Sequence, residues 1–214
     1  MAWQAADRRE ELPVTASPRG WHMPPEFDHP LTIAEYERLP EDTEHRWELQ
    51  EGSLVMSPSP RPRHALAAAE LRGQLKPQLP AGLYGLPDID INLELFPVNG
   101  PGQVRRPDLV VVDKAAYERA DGEGTLLRAS EVRLVVEVVS PGSVRMDNLT
   151  KRGEYADAGI SHYWIIDVNE PVSLVECHLA GEFGYQDNGG VTGVFTTSVP
   201  FPVRIDLNAL IRPT

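Results

Sequence analysis

Two apolar, β-branched runs each carry a single carboxylate. Asp108 follows Pro107 and leads into Leu109-Val110-Val111-Val112-Asp113, and Glu137 sits inside Leu134-Val135-Val136-Glu137-Val138-Val139. Runs of this kind form buried strands, where an ionised acid is costly unless something pairs with it. Two such acids on neighbouring strands are most simply held together by a divalent cation. Beyond the second run, Asp147, Lys151 and Tyr155 recur at a spacing of four, which places them on one face of a helix. That helix begins just past the C-terminal end of the Glu137 strand, so it brings a cation towards the two acids. Two metal-binding carboxylates, and a lysine able to orient or activate water, are what hydrolysis of a phosphodiester requires.

Each of these residues also has a plainer reading. Asp108 after proline suits a strand-entry turn, and Lys151 could pair only with Asp147 along the helix surface. Glu137, flanked by four valines, has the weakest structural alternative. Tyr155 and Tyr163-Trp164 read as core packing rather than as platforms for bases. Further candidates are Glu48, which alternates with Trp47 and Leu49 and could point into a cleft, and His64, which could touch phosphate or cap a helix. Asp88 and Asp90 share one strand face, and either could complete a metal site. Arg61, Arg63, Arg106 and Arg145 are the candidates for nucleic-acid contacts, against the alternative of scattered surface charge.

The elements that must position these groups follow from pattern. Residues 1–30, rich in proline and charge, read as a mobile N-terminal arm, and residues 31–214 as a single domain. Thr32-Ile33-Ala34-Glu35 is a capping box opening a short helix. Arg46–Gln50 and Ser53–Met56 flank Glu51-Gly52 as a hairpin. A long helix is expected over His64–Leu79, disturbed at Pro77. Strands are expected at Asp88–Leu95, after Pro107 and around Val136, with a loop at Gly122–Gly124. A second helix should run from Ser143 or Val144 to Ala158, closed by Gly159, before strands at His162–Asp167 and Val172–Glu176. Short hairpins and a closing turn at Asp206–Ile211 complete the chain. The class is α/β, with a mixed central sheet flanked by helices and additional β-hairpins.

Bulk properties bound the partners. The 214 residues are 41% hydrophobic and 24% charged, with a formal net charge of -12, so any contact with a polyanion must be local. No apolar run approaches a membrane span and no signal peptide opens the chain, so a cytoplasmic protein without membrane contact is expected. One cysteine, Cys177, excludes an intramolecular disulfide and any cysteine-rich zinc site.

Pro107-Asp108, Glu137-Val138-Val139-Ser140-Pro141, Lys151, and Tyr155 through Gly159-Ile160 to Tyr163-Trp164-Ile165-Ile166-Asp167 together resemble the Uma-two family, a branch of the PD-(D/E)xK nuclease superfamily. Trp47-Glu48-Leu49-Gln50-Glu51-Gly52, Met56-Ser57-Pro58-Ser59-Pro60 and His64 extend the likeness over most of the chain after Leu31. The resemblance implies a restriction-endonuclease-like core, Mg2+ or Mn2+ as cofactor, and endonucleolytic cleavage of nucleic acid, with DNA the expected substrate, by a homodimer. It makes Asp108 and Glu137 metal ligands, with the Val138 carbonyl as a third. The superfamily lysine belongs two residues after the second acid, where this chain has Val139, and Lys151 is the matching candidate from the following helix. The competing function is a catalytically inactive nuclease-fold module that binds nucleic acid or protein.

Overall fold

The computed structural model describes residues 27–40, 42, 45–57, 59–139 and 149–212. The capping box forms as the pattern requires: Thr32 Oγ1 accepts from the Glu35 backbone and Glu35 returns to the Thr32 backbone, opening α1 (Ile33–Tyr36). The hairpin follows, β1 (Arg46–Gln50) with β2 (Ser53–Ser57), and Glu51 and Gly52 both adopt positive φ in its turn. Of the expected arm, Phe27 packs against the small cluster of Leu31, Leu49 and Val104, and residues 1–26 lie outside the described residues.

Helix α2 (Pro62–Leu75) starts with proline at its first turn, where the missing N–H costs nothing. It tightens into a 3-10 turn over Lys76–Gln78 at Pro77, as expected. The strand expected at Asp88–Leu95 is instead β3 (Leu83–Pro87) followed by the two-residue β4 (Ile91–Asn92). Positive φ at Asp88 and Glu94 breaks the extended run at both ends, a local conformation that alternation does not reveal. After β5 (Val104–Arg105) and β6 (Leu109–Asp113) comes α3 (Lys114–Glu123), where the sequence reading had a loop at Gly122 and Gly124. Gly124, in the left-handed conformation, caps that helix rather than making a loop.

Strands β7 (Leu127–Arg128) and β8 (Val132–Val139) precede α4 (Lys151–Asp157) and β9 (His162–Asp167). The expected start of the α4 helix at Ser143 or Val144 lies outside the described residues, while Gly159, at φ 75°, ends it as expected. The chain closes with β10 (Ser173–Leu179), β11 (Tyr185–Thr192), β12 (Val194–Thr197), β13 (Val203–Asp206) and a 3-10 turn at Asn208–Leu210.

The central sheet has the order β11-β10-β9-β8-β6-β3, with β8 and β9 parallel and the remaining neighbours antiparallel. A second sheet, β2-β1-β5-β4-β7, stands beside it. Alternation along β8 splits the core in two. Leu134, Val136 and Val138 join α2 and the β12–β13 hairpin on one face, and Val135 and Val139 join Tyr155, Tyr163 and Ile91 on the other. Phe195, Phe201, Ile205 and Leu210 are buried in the first of these clusters. Among the described residues no helix is long and apolar enough to cross a membrane.

The β1–β2 turn fixes where Glu48 points. A Cβ added at Gly52 would lie 2.5 Å from Pro30 Cβ, and φ there is 78°. We expect Gly52→Ala to destabilise the protein by about 1–3 kcal/mol, combining left-handed strain with a clash against backbone. Urea unfolding checks this, and an unchanged midpoint would mean that the turn does not constrain the hairpin.

Candidate active site

Strand β8 carries Glu137 into the core at 3% exposure, and α4 supplies its partners. Lys151 Nζ donates to Glu137 Oε1 at 2.8 Å, and the Tyr155 hydroxyl donates to the same oxygen at 2.8 Å. The spacing of four on the helix is what aims both groups at one carboxylate. Burial, and then the Glu137 charge, push the Tyr155 phenol well above the ordinary tyrosine range. Tyr155 is therefore core packing, as expected, and also a hydrogen-bond donor within the site.

Asp108 lies one residue further along. Its Oδ2 accepts from the Val138 backbone N–H at 2.7 Å and from His64 Nε2 at 3.1 Å, which makes Nε2 the protonated ring nitrogen. The pairing of Leu109 with Val136, continued by one residue, sets Asp108 across from Glu137. Alternation also gives both acids the side of the sheet taken by Val110, Val112, Val135 and Val139. The Val138 N–H points towards Asp108, and the carbonyl of the same strand residue projects to the same side. Each acid has its own partner, Lys151 for Glu137 and His64 for Asp108.

Glu48 is 6% exposed and does point inward. Its Oε1 lies 3.9 Å from Lys151 Nζ and accepts from the Arg106 backbone N–H, while its Oε2 accepts from Arg105 Nη1 at 2.9 Å. Arg105, 1% exposed, also makes a two-pronged contact with Glu154 of α4 at 2.6 Å on each branch, and Gln103 donates to Glu154 as well. Burial works against the Arg105 charge, but the hydrogen bonds to Glu154 and the nearby Glu48 charge outweigh it and raise its pKa. Arg105, Gln103 and Glu154 were missed from the sequence. The available signal was Glu154, one turn after Lys151 and so placed for a basic partner of its own.

Asp90 and Arg106 bind each other in a two-pronged pair at 2.6 and 2.8 Å, with the Tyr36 hydroxyl also on Asp90. Asp88 is held by Arg46, and Arg63 by Glu170 at 3.0 Å. Arg61 stands exposed at the start of α2. Arg145 and Asp147 lie outside the described residues.

A divalent cation fits the donor set. Two carboxylates and a main-chain carbonyl are all oxygen, and Mg2+ is characteristically held by one or two carboxylates, with water and substrate phosphate completing its shell. Among the described residues no three His, Cys, Asp or Glu side chains group so as to hold a metal ion by themselves.

Asp108 and Glu137 thus stand at paired strands of a mixed sheet, with Lys151 reaching Glu137 from the following helix. The chain belongs to the Uma2 family, described as "Putative restriction endonuclease", which matches residues 33–200. It is also similar in fold to a crystal structure titled as a putative nuclease belonging to DUF820 from Anabaena variabilis, with a TM-score of 0.62 and 18% identity over 85% of this chain and 98% of that one. No curated protein matches the chain.

Two measurements check the site's electrostatics. Arg105→Ala should cost about 3–5 kcal/mol in urea unfolding, because Glu48 and Glu154 would be left buried without their shared cation; a loss below about 1 kcal/mol would contradict that role. Burial also raises Tyr36 and Tyr185 above the ordinary value of 10.0, as it does Tyr155. A folded-state pKa above the unfolded one gives stability that is complete below pH 10 and lost as pH rises through the folded values. Thermal unfolding should therefore show alkaline destabilisation beginning near pH 10, reduced in Tyr155→Phe, and an identical alkaline slope in that variant would contradict the assignment.

Proposed function

We propose that the protein is a metal-dependent endonuclease hydrolysing phosphodiester bonds of nucleic acid, with DNA as substrate and Mg2+ or Mn2+ as cofactor. The observation that carries this reading is the buried contact between Lys151 and Glu137, beside Asp108. An ammonium that spends its desolvation cost on an acid at a strand end, rather than on a surface neighbour, suits a site that handles phosphate and water.

In this reading Asp108, Glu137 and the Val138 carbonyl hold the cation, which supplies a Lewis acid and lowers the pKa of water. Lys151 Nζ, anchored on Glu137, donates to the attacking water or to a phosphoryl oxygen as charge develops there. Tyr155 fixes the Glu137 carboxylate in place from the core side. His64 orients Asp108 through Nε2, and Glu48 lies close enough to add to the field on Lys151. The superfamily position at Val139 is filled by an apolar core residue, so the lysine comes from α4. The proposed setting is the cytosol, where a buried, reduced Cys177 persists, and the proposed assembly is a homodimer.

Glu137→Gln keeps the volume and removes the charge, so we expect metal-dependent cleavage of a plasmid or oligonucleotide to be lost while the circular dichroism spectrum persists. Lys151→Ala should slow single-turnover cleavage by on the order of a hundredfold, with Mn2+ affinity little changed. Wild-type turnover in either variant would remove that residue from the mechanism. Wild-type protein that binds nucleic acid without cutting it in Mg2+ or Mn2+ would instead support the inactive binding module.

A further inference from the structure

Strand β3 forms one edge of the central sheet and, among the described residues, pairs only with β6. The other edge, β11, is blunted by a glycine pair, a bulge in its pairing with β10, and Asp187 held by Arg152. β3 carries no charge at all: it reads Leu83-Tyr84-Gly85-Leu86-Pro87. Along it lies a cavity of about 580 Å³ between the end of α2 and the strand, within the size range of small-ligand sites. Its floor is aliphatic. The charged residues lining it are both cations, Arg72 and Lys76, one helical turn apart, and neither makes an ion pair among the described residues. In a chain of net charge -12 most described cations are paired, so two unpaired ones on one apolar groove mark a place for an anion.

Two aromatic rings complete the groove. Tyr84 and Tyr117 are 37% and 36% exposed and meet edge to face at 5.3 Å, so each keeps surface available to a further ring. Cations beside exposed aromatic faces over an apolar floor are what unpaired nucleotides need, with phosphates on the cations and bases on the rings. A duplex keeps its bases stacked inside and cannot use such rings. The far end of β3 also leads to the proposed catalytic site: Pro87 pairs with Leu109, and the Asp88 N–H reaches the Asp108 carbonyl, about 13 Å along the strand from Leu83.

We propose that the β3 groove binds a single-stranded segment of nucleic acid, with Arg72 and Lys76 on its phosphates and Tyr84 and Tyr117 stacking its bases. The proposal rests on the nuclease reading for its choice of polyanion, and makes the substrate one with an unpaired stretch, such as a flap, loop or frayed end. A second cavity, sharing Leu86 and Tyr117 with the first, continues the path around α3.

The test is fluorescence anisotropy of the wild-type protein in EDTA with fluorescein-labelled dT20 and with a blunt 20-base-pair duplex. The expected result is at least tenfold tighter binding of dT20. Tyr84→Leu should weaken dT20 binding by roughly tenfold, the scale of one lost base stack. Arg72→Glu with Lys76→Glu should weaken it further and reduce the salt slope by about 1.4, from about 0.7 per lost phosphate contact on a single strand. Arg72 and Lys76 are exposed and make no ion pair among the described residues, so the charge variant tests the groove even if Tyr84→Leu folds poorly. Equal or tighter duplex binding, dT20 affinity and salt slope unchanged in the variants, or displacement of dT20 by a poly-glutamate peptide at equal charge concentration would overturn the proposal. Cleavage of plasmid DNA, dT20 and a duplex carrying a dT20 flap in Mg2+ or Mn2+ is read separately. Binding that depends on the groove without cleavage sinks the nuclease reading alone, and cleavage with binding indifferent to these variants sinks the groove alone.

Discussion

A carboxylate inside a buried, valine-rich strand is tolerable only with a partner, and Glu137 finds one in Lys151 rather than in water. That single pairing determines much else. The ammonium must itself leave water, so α4 is held close to β8, and Tyr155 follows one turn later to bond the same oxygen. The helix is then fixed from its other side by Glu154, whose charge is matched by Arg105 of the second sheet. Glu48 closes the chain by touching both Arg105 and Lys151. An alternating series of acids and bases thus runs from the central sheet through α4 to β5 and β1. Removing any one member strands its neighbours, which is why a buried network of this kind restricts the geometry more than it adds stability.

The same constraint explains what each sheet contributes. The central sheet places Asp108 and Glu137 across from one another by antiparallel register, a geometry that backbone hydrogen bonds set without reference to chemistry. The second sheet, with its hairpin turned at Gly52, supplies the charge balance that lets Lys151 sit 9% exposed beside them. Helix α2 contributes from the opposite face, its first turns aiming His64 at Asp108 and its last turns bordering β3. The candidate site and the edge groove are therefore connected by one helix and one strand.

Much of this was legible in the sequence where a residue's burial followed from its neighbours. Glu137 was marked by the valines around it, Lys151 and Tyr155 by their spacing, and the hairpin by Glu51-Gly52. The places that were not legible share a physical cause. Asp88 and Glu94 take positive φ, which no periodicity signals, so a long strand became two short ones. Arg106 and Asp90 looked like separate functional charges because sequence does not show that two residues sixteen apart fold into a two-pronged pair. Arg105, passed over in the sequence beside Arg106, is fully buried in β5 between Glu48 and Glu154. Long-range pairing of charges, rather than local pattern, is where the reading ran out.

The central claim is that Asp108, Glu137 and the Val138 carbonyl share a divalent cation next to Lys151. Anomalous diffraction from crystals soaked in Mn2+ tests it most directly. The account predicts one strong manganese peak with ligand distances of about 2.0–2.6 Å to both carboxylates and the Val138 carbonyl, lost in Glu137→Gln. A manganese peak elsewhere, or a Glu137 carboxylate that keeps only Lys151 and Tyr155 at saturating Mn2+, would contradict it.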